Sequence, residues 1–105
     1  MTPKMENKKK VMVQVDFPGM TVKEYDQIWN DLRAAGHQNP KGLIHHAGAP
    51  TDKGVKVVDV WESAAKFNEF GESLMPILNK HGVKEPKPVI LPLHYEYNNA
   101  KSAVL

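Results

Sequence analysis

The feature that most constrains the fold is a change of hydrophobic period that occurs twice along the chain. Val11, Val13, Val15 and Phe17 alternate with Met12, Gln14 and Asp16. Successive side chains of a strand point to opposite faces, so this period of two predicts a strand with one apolar face. Pro18-Gly19 ends it. Thr21, with Glu24 three residues later, is a capping-box pattern. Val22, Tyr25, Trp29 and Leu32 then recur at helical spacing, and Gly36 is a suitable residue just past the helix end. The same switch returns further on. VKVVDVW is rich in β-branched residues and predicts a strand, Ser63 is an N-cap, and Phe67, Phe70, Leu74 and Leu78 form one helical stripe. Pro76 lies inside that stripe and predicts a kink or a restarted last turn.

Between the two units stands GLIHHAGAP, whose residues 43–48 predict a strand, joined by the loop APTDKG to the next one. After His81-Gly82 come the connector KEPKP and a fourth strand, VILPLHYEY. Pro92 has no N–H for a ladder, which favours an edge position there. The order βαββαβ is that of a ferredoxin-like α+β fold, a four-stranded antiparallel sheet with two helices. Right-handed crossovers place both helices on one face. The other face is left bare and carries apolar residues, so a second copy of the chain is the expected cover.

At 105 residues, 41% hydrophobic and 25% charged, the chain has the composition of one ordinary globular domain. It contains no cysteine, which excludes disulfides and thiolate metal sites and makes the cytoplasm the expected location. No apolar run approaches the ~20 residues that span a bilayer. The net charge of +2 comes from the first ten residues, where four lysines face one glutamate. A basic tail on a near-neutral body differs from the basic folded face that nucleic-acid binding requires, so no such partner is expected. The expected division is a flexible basic tail over 1–9, one domain over 10–97 and a loose tail over 98–105.

PGMTVKEYD, GLIHHAGAP and VKVVDVWESAAKFNEF together resemble small bacterial proteins of the dimeric α+β barrel superfamily, and within it the antibiotic-biosynthesis monooxygenase-like proteins. The most telling segment is Asp59-Val60-Trp61-Glu62-Ser63 followed by Phe67. The resemblance implies a homodimer that binds a small apolar or aromatic molecule. It points to cofactor-independent oxygenation of quinol- or anthrone-like substrates, with no cofactor. Isomerases and haem degraders share the superfamily. Trp61 matches the strand-end tryptophan of the haem degraders, but Phe70-Gly71-Glu72 stands where their helix-two histidine is found, and Gln14 replaces their first-strand asparagine.

In an alternating strand His45 and His46 point to opposite faces, His46 with Ile44 and His45 with Leu43 and Ala47. Asp59 shares its face with Val57 and Trp61, and His94 shares one with Glu96. A hairpin turning near residues 51–52 brings His46 close to Asp59, where a carboxylate can orient an imidazole as general base. His46, Asp59 and His94 are the candidate catalytic residues. Gln14, Tyr25, Trp29, Trp61 and Phe67 are the candidate lining of an apolar pocket between helices and sheet. No histidine or carboxylate pair has a diagnostic metal-ligand spacing, so no metal is expected. His37 and His81 fall at helix C-termini, where a cationic side chain suits the dipole. Enzyme, isomerase by proton transfer, and non-catalytic ligand-binding or dimeric interaction module all remain compatible with these residues.

Overall fold

The computed structural model describes residues 9–98, so nearly all of the expected basic tail and all but the first residue of the C-terminal tail lie outside the described residues. The elements are β1 (Val11–Pro18), α1 (Val22–Ala34), β2 (Leu43–Thr51), β3 (Gly54–Trp61), α2 (Ala64–Lys80) and β4 (Val89–Pro92). They build one antiparallel sheet in the order β2-β3-β1-β4, the ferredoxin-like arrangement. Pro92 lies on the edge strand β4, as its missing N–H requires.

Alternation in β1 and β3 selects the core. Val11, Val13, Val15 and Phe17 are buried, as are Val55, Val57, Asp59 and Trp61. Ile28 and Leu32 of α1 and Leu78 of α2 close over them in one cluster. Both helix starts are capped as their sequences predict. The Thr21 hydroxyl accepts from Glu24 N–H while the Glu24 carboxylate accepts from Thr21 N–H, and the Ser63 hydroxyl accepts from Lys66 N–H.

Three local features differ from the sequence reading. β2 runs on through Pro50 to Thr51, so the hairpin turns on Asp52 and Lys53 alone and APTDKG is not a long loop. β4 stops at Pro92, and residues 93–98 leave the ladder after Leu93 N–H bonds Lys10 C=O. Glu96 is instead held by Lys10 at 2.8 Å and His45 at 3.3 Å. Finally, the last turn of α2 does not start afresh, because the helix runs unbroken through Pro76. The proline is exposed, so the ring and the unpaired carbonyl one turn earlier are tolerated at the surface.

Candidate active site between helices and sheet

β2 and β3 pair so that His46 stands directly opposite Asp59. The two-residue turn fixes this register, and antiparallel neighbours on one face approach to within side-chain contact. The His46 Nδ1–H donates to Asp59 Oδ1 at 2.6 Å, and the Trp61 Nε1–H donates to Asp59 Oδ2 at 3.0 Å. Asp59 is 6% exposed and Trp61 fully buried, so the carboxylate sits in the apolar core with each oxygen satisfied. A carboxylate oxygen accepts, so the tautomer that fits Asp59 carries its proton on Nδ1 and presents Nε2 to its other partner as an acceptor.

Nε2 meets the Tyr25 hydroxyl at 2.5 Å. Tyr25 comes from the first turns of α1, and Trp29 stands one turn later on the same stripe. The Tyr25 ring lies nearly parallel to the imidazole, at 12°, and the Trp29 ring meets it edge-on with centroids 5.1 Å apart. Burial pushes the Tyr25 phenol above its ordinary value. The Trp29 indole opposes this, and the Asp59 and Asp26 carboxylates reinforce it. Tyr25 therefore keeps its proton at neutral pH.

Two features of β2 shape the surroundings of this contact. A β-bulge at Ile44 inserts one residue, so that Leu43 pairs with Trp61 while His45 already pairs with Val60. Leu43 and His46, three residues apart, consequently line the same cavity. Strict alternation assigns Leu43 to the face of His45, and the bulge corrects it. Gly48 lies under the tyrosine: a Cβ there would stand 2.9 Å from the phenol oxygen and 3.0 Å from two ring carbons. The missing side chain is the space in which Tyr25 lies.

The cavity holds about 80 Å³ and is walled by Val15, Phe17, Phe67, Phe70 and Leu74 among others, with Tyr25, His46, Asp59 and the Trp29 and Trp61 indoles its hydrogen-bonding groups. Pro86 and Pro88 of the connector after α2 complete the wall. A wider groove of about 720 Å³ adjoins it and shares Phe17, Met20 and Pro86 as lining. The inner volume is below the ~150 Å³ that accepts benzene in an engineered apolar cavity. A substituted ring thus seats only if part of the wall yields, and Pro86 and Pro88 belong to neither helix nor sheet.

Of the candidate residues read from the sequence, Tyr25, Trp29, His46, Asp59, Trp61 and Phe67 all line this cavity. Gln14 does not. It alternates with the buried Val13 and Val15 and so faces the opposite side of the sheet. His94 is exposed beyond the end of β4 and is not brought to His46. Among the described residues no group of three or more histidines and carboxylates is placed to hold a metal. No helix among them is long and apolar enough to cross a membrane.

No protein-family model and no curated protein matches the chain. Solved structures do. SnoaB, a cofactor-independent oxygenase from Streptomyces nogalater, superposes with a TM-score of 0.58 at 12% identity, over 85% of this chain and 96% of its own. The fold is that of these oxygenases. The ActVA-Orf6 monooxygenase of Streptomyces coelicolor, solved with nanaomycin D, matches at TM-score 0.55 and 15% identity over 88% of this chain and 93% of its own. MhuD, a haem degrader from Mycobacterium tuberculosis, matches at TM-score 0.52 and 15% identity, over 85% of this chain and 98% of its own. All three are antibiotic-biosynthesis monooxygenase-like folds, as the sequence resemblance implied.

Proposed function

We propose that the chain binds a small ring-bearing molecule between its helices and sheet and begins its oxidation by removing a proton from a phenolic or enolic group. His46 is the base and Asp59 its orienter. The observation that carries this reading is the Trp61–Asp59–His46–Tyr25 hydrogen-bonded chain, which opens into an otherwise apolar cavity. Buried polar groups in such a setting define where a ligand's own polar group must lie. The absence of a Gly-rich loop, with Arg33 the only arginine of the chain, argues against a phosphorylated ligand.

Deprotonation turns a phenol or enol into an electron-rich carbon nucleophile that reacts with dioxygen. When a ring CH₂ becomes a carbonyl, one oxygen atom enters the product and the other leaves as water, so the balance closes with dioxygen alone. Two fold neighbours are oxygenases, which supports this reaction class. Haem degradation receives less support, because α2 contains no histidine. We read the apolar outer sheet face, with Met12, Val58, Val60, Val89 and Leu91, as an interface between two copies of the chain.

Oxygen uptake with a panel of hydroquinones and anthrones tests the reading. Wild type is expected to turn over at least one member, and His46→Ala to lose about 10²-fold or more in kcat. Equal turnover by the variant removes His46 from the mechanism. Deuterium incorporation from solvent without oxygen uptake indicates an isomerase instead, and binding with neither indicates a non-catalytic module.

A further inference from the structure

We infer that Tyr25, not His46, is the group that touches the substrate, taking the substrate's proton while handing its own to His46. The inference rests on the proton-abstraction reading above and deepens it.

The argument is one of occupied atoms. Imidazole has two nitrogens, and both are engaged, Nδ1 with Asp59 and Nε2 with Tyr25. Both Asp59 oxygens are also engaged, by His46 and Trp61, and its side chain is 9% exposed. A ligand in the cavity therefore finds no free nitrogen on His46 and no free oxygen on Asp59. The Tyr25 oxygen spends its one hydrogen on Nε2 and has two lone pairs; the Trp29 indole N–H faces one, and the other can accept from a ligand hydroxyl. In one concerted step the substrate O–H bond breaks and its proton forms an O–H bond on Tyr25. The Tyr25 proton moves to Nε2, producing an imidazolium beside the Asp59 carboxylate. The electron pair stays on the substrate oxygen, which now accepts a hydrogen bond from Tyr25. The high phenol pKa fits this role, since a tyrosinate resting state would leave nothing to pass on. Asp59, Asp26 and His46 are the titratable groups that bear on the phenol.

The test uses 4-nitrophenol, whose ionisation is read from its absorption band, bound to the full-length protein over a range of pH. Wild type should bind it and lower its apparent pKa. Tyr25→Phe, which keeps the ring and removes only the hydroxyl, should bind it more weakly and lose that shift. Gly48→Ala, which displaces the phenol without removing it, should lose part of it and serves should Tyr25→Phe prove unstable. A bound nitrophenol ionised equally by wild type and both variants overturns the inference while leaving the His46 reading intact, provided His46→Gln abolishes the shift. A wild type that binds the probe without lowering its pKa, or fails to bind it, overturns the proton-abstraction reading and this inference with it.

Discussion

Asp59 is the residue on which the site depends, because it serves two donors at once. Its replacement by asparagine leaves one carbonyl oxygen for the His46 and Trp61 N–H groups and points an amide NH₂ at the other. A buried donor left facing a donor costs about 1–3 kcal/mol. Asp59→Asn is expected to lower the urea midpoint by that equivalent while the far-UV dichroism is unchanged. Gly48 matters by being absent as a side chain. Gly48→Ala should leave stability nearly unaltered, because the phenol end of Tyr25 can swing away. kcat should fall more than KM rises, since the contact to His46 is weakened while the apolar walls remain. An unchanged kcat in a turnover assay would show that Tyr25 need not lie flat on β2.

Asp31 offers a residue-scale prediction away from the site. His81, the C-cap of α2, donates from Nε2 to Asp31 on α1 at 2.7 Å, and Lys80 approaches at 3.1 Å. The His81 hydrogen bond, followed by that of Lys80, holds the Asp31 carboxyl below its ordinary value. A carboxylate depressed in the folded state adds stability that is present above its unfolded pKa of about 3.9 and is lost as pH falls through the lower folded value. Asp31→Asn should therefore flatten the acid limb of the stability profile below about pH 4, measured by urea titration at a series of pH values.

At the level of elements, the hairpin and its neighbour β1 are fitted to each other through Gly54. A Cβ at Gly54 would stand 2.1 Å from the Phe17 carbonyl oxygen, and its φ of +155° is one L side chains rarely adopt. Gly54→Ala is expected to destabilise by about 2–4 kcal/mol, as replacements at strained and crowded positions do. It should also disturb the site, because the same turn fixes the His46–Asp59 register. The capping box of α1 carries Tyr25 and Trp29 on its first two turns, so Thr21→Ala, costing about 1 kcal/mol, should loosen the site as well as the helix.

For the whole molecule, the proposed dimer rests on the outer face. β1 and β3 place Met12, Val58 and Val60 there, and β4 adds Val89 and Leu91, which are 51% and 42% exposed. Sedimentation should give about twice the 11.8 kDa chain mass, and Val58→Glu, in the middle strand opposite Gln14 and Ala47, should return it to one. A wild type that sediments as a single chain at micromolar concentration would remove the dimer.

The sequence alone determined the element order, both helix caps, the apolar face of β1, and the edge placement of Pro92. Those depend on local periods and on residues a few positions apart. It also brought His46 towards Asp59, because a hairpin is a local structure whose turn limits the register. The tertiary structure decided the rest. It put Gln14 behind the sheet and His94 outside the cavity, used a bulge to turn Leu43 towards His46, and laid Tyr25 across Gly48 to close the second nitrogen of the imidazole. These contacts join α1 to β2 across 21 positions, and no local period encodes where a helix packed over a sheet will set its side chains.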